Sequence, residues 1–120
     1  MQATDTEYYK AHEYLKDGND SKKLGALYDD MARLYRKLRQ PERALEFYEK
    51  ALALYKKEND LEGIARIYNE SGVVYRDEGD YKTANELFHK SLNLQIQRDD
   101  SVGIGYALEF IGYNQLLIKD

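Results

Sequence analysis

The chain has 120 residues, which is enough for one compact domain and too few for two. Apolar residues make up 42% and charged ones 33%, which excludes compositional disorder, and the absence of Cys excludes disulfides, thiolate zinc sites and cysteine nucleophiles. A net charge of -4 gives no overall pull on nucleic acid, and no apolar run approaches the about 18 residues of a membrane span, so the expected compartment is the cytoplasm, with neither nucleic acid nor membrane as partner.

One Pro, few Val and Thr, and abundant Ala, Leu, Glu and Lys predict helix throughout. The start, "MQATDTEYY", has neither a basic nor an apolar segment and predicts no signal peptide. A first helix is expected from Thr4 to about Lys16. After the turn segment "NDSKKLG" (Asn19 to Gly25), Tyr28, Ala32 and Tyr35 follow three-and-four spacing, which places them on one helical face. Pro41 starts the next helix, where a missing N–H does no harm, and Ala44, Tyr48 and Ala51 trace its face. The segment "NDLEGIA" (Asn59 to Ala65) then introduces Ile64, Ile67, Tyr68, Ser71, Gly72 and Tyr75. Gly79 stops that helix, Asp80 caps the next, and Ala84, Leu87, Phe88, Ser91 and Leu92 follow. A last helix, Val102 to Lys119, follows "DDSVGIG" (Asp99 to Gly105) and carries Leu108, Ile111 and Gly112.

Laid over itself at an offset of 40 residues, the chain stays in register. Tyr28 falls on Tyr68 and Leu108, Ala32 on Gly72 and Gly112, and Tyr35 on Tyr75. Ala44 falls on Ala84, Tyr48 on Phe88, and Ala11 on Ala51. Asp20, Asp60 and Asp100 begin the first helix of each unit as caps. These matches predict an all-α fold of antiparallel helix pairs: 1–18 as the second helix of a partial unit, 19–58 and 59–98 as full units, and 99–120 as a first helix. Small residues (Ala32, Gly72, Ala44, Ala84) face large ones (Tyr28, Tyr35, Tyr68, Tyr75, Tyr48, Phe88) across each pair, the condition for close packing. Leu108 and Gly112 are expected in the core by the same register.

Tyr, a small residue four on, a second Tyr three further, a turn, then Ala-x-x-x-aromatic resembles the tetratricopeptide repeat, whose common form has about 34 residues. The longer period here is similar to that of kinesin light chains, Rap-type bacterial regulators and the Gly-Asp-rich repeats of spindle-orientation adaptors. The resemblance implies an α-solenoid, a right-handed superhelix of about six helices whose first helices line a concave, peptide-binding groove. By register the groove positions are Ala26, Asp29, Arg33, Arg36 and Lys37; then Arg66, Asn69, Val73, Arg76 and Asp77; then Tyr106, Glu109, Tyr113 and Leu116. The resemblance gives Asn69 a groove role, its amide meeting a peptide backbone. Five basic residues on two helices of an acidic chain predict acidic or carboxylate-bearing partners. The competing reading pairs Arg33, Arg36 and Arg76 with Asp29, Asp77 or Glu70 at helical spacing.

Nothing in the sequence assembles catalytic chemistry, and no enzyme, cofactor or metal site is expected. His12 and His89 stand on second helices of different units, and Gly103-x-Gly105 lacks the strand that a phosphate loop follows. The last helix is apolar where a terminal repeat should be polar, so the chain reads as a piece of a longer array, natural or engineered. Leu108, Ile111, Leu116, Leu117 and Ile118 are expected to dock on another copy, head to tail. Two functions stand: a protein- or peptide-binding scaffold, and a structural array segment that self-associates and has no separate ligand.

Overall fold

Aspartates open three of the helices at the spacing set out in the sequence. Residues 6, 8–13 and 20–118 are described in the computed structural model. Thr4, Lys16 and Lys119, which bound the expected first and last helices, lie outside them. Residues 8–13 are helical (α1), followed by α2 (Ser21–Lys37), α3 (Pro41–Lys57), α4 (Leu61–Asp77), α5 (Tyr81–Gln97) and α6 (Ser101–Ile118). Starts of α2, α4 and α6 are thus 40 residues apart, as are those of α3 and α5. No strand occurs among the described residues.

The junctions explain this regularity. The Asp20, Asp60 and Asp100 carboxylates accept from the N–H groups of Lys23, Gly63 and Gly103 at 3.0, 3.0 and 3.2 Å, satisfying donors that a helix start leaves open. Asp80 does the same for Thr83 at 3.1 Å, while α3 starts on Pro41 with Gln40 before it and no side-chain cap. The stops after α2, α3, α4 and α5 are left-handed: Arg39, Asn59, Gly79 and Asp99 have φ of 59°, 53°, 85° and 56°. After α4 the Gly79 N–H reaches Arg76 O and the Asp80 N–H reaches Tyr75 O, both at 2.9 Å, which is the Schellman pattern. Arg39 and Gln40 repeat it one period earlier, and Asp99 and Asp100 half a period later.

The chain forms two compact units, Met1–Asn59 and Asp60–Asp120. In the first, α2 packs on α3. Phe47 is the centre of its core: the Tyr35 ring stacks on it at 5.6 Å, Tyr8 meets it edge-on at 5.1 Å, and Tyr28 lies at 6.1 Å. The hydroxyls find polar partners, Tyr28 with His12 Nε2 at 2.9 Å and Tyr35 with the Arg43 guanidinium, which donates at 2.9 Å. Burial, reinforced by neighbouring Tyr28, pushes the Tyr8 hydroxyl well above the usual phenol range.

In the second unit α5 packs on both α4 and α6. Val73, Ala84 and Phe88 form its core, with Tyr75, Phe110 and Ile111 against them. Phe88 occupies the space over Gly72; a Cβ there would stand 2.5 Å from Phe88 Cε1. Asn114, wholly buried on α6, donates to the Tyr81 carbonyl at the start of α5 at 3.0 Å. Antiparallel helix pairs repeating along the chain make this an all-α fold of the α-solenoid class.

Candidate functional site

A cavity of ≈ 360 Å³ opens between α4 and α6 of the second unit. Glu62, Arg66, Asn69 and Glu70 reach it from α4, at the three-and-four spacing that aligns side chains on one helical face. Val102, Gly103, Tyr106 and Phe110 come from α6, and Gln95 and Asp100 from the end of α5 and the turn after it. Gly103 lets the helices close: a Cβ there would lie 2.5 Å from the Gln95 amide carbon.

The polar groups are held from several sides. Arg98 donates to Gln95 Oε1 at 2.7 Å and to the Asp100 carboxylate at 3.0 Å, and stands 3.5 Å from Glu62. Arg66 Nε is 3.7 Å from the Glu70 carboxylate, which is only 14% exposed. The Gly103 N–H, helped by Arg98, holds the Asp100 carboxyl below the usual carboxylate range against the opposing effect of desolvation. Asn69 differs from all of these. It is 8% exposed, and no protein donor reaches its Oδ1.

The structure disperses several residues that the register groups. Asn69, Arg66 and Tyr106 do meet around one cavity. Val73, expected in the groove, is instead a core residue packed with Ala84 and Phe88, 7% exposed. Arg76 is 3.8 Å from Asp77 and lies 4.9 Å over the Tyr113 ring. Glu109, Tyr113 and Leu116 are exposed on α6, and Asp77 at the end of α4. In the first unit Ala26 and Lys37 are exposed, Arg36 is half-buried, and Arg33 pairs with Asp30, its near neighbour on the helix. Asp29 is buried at 2% exposure rather than facing a groove.

Core positions also part company. Tyr28, Ala32, Tyr35, Ala44, Tyr48, Ala51, Gly72, Ala84 and Phe88 are buried, and Tyr68 and Tyr75 are half-buried. Leu108 is 52% exposed, and a Cβ on Gly112 would meet open space. The reason is local: their equivalents on α2 and α4 face a following helix, and among the described residues none follows α6. Ile111, expected on a docking face, packs into the core instead, and Leu117 is half-buried. Leu116 and Ile118 stand out at 64% and 47% exposure. Sequence reasoning missed Phe110, Gln95 and Gly103, because their roles depend on how α6 crosses α4 and α5, which no single-helix period encodes.

Among the described residues no group of three or more His, Cys, Asp or Glu could hold a metal ion, and no helix is long and apolar enough to cross a membrane. Paired helices at a fixed interval define a helical-repeat protein of the α-solenoid class. Residues 1–102 match the family model described as soluble NSF attachment protein, SNAP, and the chain belongs to that family. No curated protein matches the chain. Among solved structures it is similar to the crystal structure of BtubC (BKLC) from P. vanneervenii, with a TM-score of 0.69 and 20% identity over 90% of this chain and 48% of that one. The chain therefore spans about half the length of BtubC, and at this identity the likeness shows the fold.

Proposed function

We propose that the chain is a peptide- or protein-binding module and that a ligand of its second unit occupies the cleft between α4 and α6. Asn69 carries this reading: its amide is buried at the lining of the cavity with its oxygen unpartnered. An orphaned buried acceptor costs about 1–3 kcal/mol. The backbone N–H of a bound segment would relieve that cost, and the same amide can donate to the segment's carbonyl. Tyr106, 58% exposed, and Phe110 add apolar contact area. The family description, soluble NSF attachment protein, supports a task of attaching one protein to another. The 40-residue period supports the repeat subtype of kinesin light chains. A preference for carboxylate-bearing partners now rests on Arg36 and Lys37 of α2, because Arg33, Arg66 and Arg76 each have a carboxylate beside them.

A second reading, assembly of copies through α6, draws support from exposed Leu108, Leu116 and Ile118. The first reading is tested by selecting displayed random peptides of about eight residues on the full chain. Extended, they span ~26 Å, the length of a 17-residue helix such as α4. Amide shifts on titrating a selected peptide are expected at Arg66, Asn69 and Tyr106, and Asn69→Ala is expected to weaken it about tenfold. Shifts confined to other surfaces would end the cleft assignment.

A further inference from the structure

We infer that the outward face of α6 seats an amphipathic helix of another protein, laid antiparallel to it, with an aromatic ring over Gly112 and a second large side chain, seven residues later, over Gly105. This face is separate from the cleft, which α6 lines with Val102, Tyr106 and Phe110. Two covered seats inside the chain supply the template. In α4, Gly72 lies under the Phe88 ring of α5, where a Cβ would come within 2.5 Å of it. In α2, Gly25 lies under the Tyr55 ring of α3, 3.3 Å from where a Cβ would stand. One period beyond Gly72 is Gly112, two periods beyond Gly25 is Gly105, and a Cβ on either would meet nothing within 4 Å. The two open glycines share one side of α6, two turns apart, and Leu108 and Leu116, 52% and 64% exposed, stand within a turn of them.

The helices that cover α2 and α4 show what fits. Tyr48 and Tyr55 of α3 are seven residues apart, the first in register with Phe88 and the second over Gly25. An antiparallel helix with that spacing brings one ring to Gly112 and the other to Gly105 at once. Two positions after Tyr48 and Phe88, the Lys50 and Lys90 ammonium groups lie over the Tyr28 and Tyr68 rings at 5.8 and 5.7 Å. Leu108 replaces those rings on α6, so the occupant carries an apolar residue there in place of Lys. A second copy has no such row to offer among its described residues, because Tyr8, Tyr48, Tyr55 and Phe88 are all buried in their own units. The occupant is therefore a different chain, and burial of Leu108 and Leu116 against its apolar side drives the association.

The probe is a synthetic peptide with the 17-residue α3 sequence, Pro41–Lys57, held helical by a side-chain cross-link on its outer face. Titrated into the full chain, it should shift the amide signals of Gly105, Leu108 and Gly112 and leave that of Asn69 in place. Tyr48→Ala and Tyr55→Ala in the peptide should each weaken binding about tenfold, and Lys50→Leu should strengthen it about threefold. In the chain, Gly112→Ala should weaken the peptide about tenfold without lowering the urea midpoint, whereas a variant that merely disturbed the fold would lower both. Signals of α6 that do not move, or a peptide indifferent to Gly112→Ala, would overturn the inference. Oligomers of the native chain that Gly112→Ala dissolves and the peptide fails to displace would assign the face to a second copy, and would overturn it too.

Discussion

Gly72 and Gly112 occupy the same place in successive repeats, yet their surroundings give them opposite sensitivities. A methyl group on Gly72 meets Phe88 at 2.5 and 2.8 Å, and the ring is wholly buried and cannot step aside. Gly72→Ala is expected to destabilise the protein by about 1–3 kcal/mol, and Phe88→Leu in the same chain should return part of the loss. On Gly112 a methyl meets nothing within 4 Å, so Gly112→Ala should stabilise by about 0.5–1 kcal/mol through lowered backbone entropy of the unfolded chain. Urea unfolding midpoints of the three variants report these signs. Equal effects at the two glycines would contradict the packing described for α5 and α6.

Helix starts differ in how they respond to acid. The Thr83 side chain and N–H hold the Asp80 carboxyl below the usual carboxylate range, and the Gly103 N–H does so for Asp100. Depressed folded-state values mean that these caps contribute fully above the ordinary carboxylate range and lose that contribution as pH falls through the lowered values. Melting temperature should therefore fall on acidification below about pH 4, with Asp80→Asn and Asp100→Asn each flattening the profile, since Asn caps without titrating. A profile unchanged in both variants would show that other carboxylates govern acid stability. The start of α3 has no titrating cap, because Pro41 and Gln40 carry no charge to lose.

For the molecule as a whole, the repeat was legible because most junctions write themselves locally. Before α4, α5 and α6 a residue suited to a left-handed stop stands immediately ahead of the capping Asp, and 40-residue recurrence makes the pattern stand out. The placement of Asn69 and Tyr106 about one cleft follows from the same phase. Val73, Leu108 and Ile111 were misplaced because their burial depends on which helix lies opposite, and register assumes that every unit has both neighbours. The apolar outer face of α6 belongs to this scale as well. If copies assemble through it, sedimentation velocity should show faster species as concentration rises through the micromolar range, and Leu108→Lys/Leu116→Lys should abolish them. A native chain that sediments as a single unchanging monomer would remove that second reading. The left-handed stops at Arg39 and Gly79 have a separate implication for how such genes lengthen and shorten. Because both positions share one backbone geometry and are followed by equivalent helices, an in-frame excision or duplication between them rejoins like to like, so recombination can add or drop whole repeats without creating a mismatched joint.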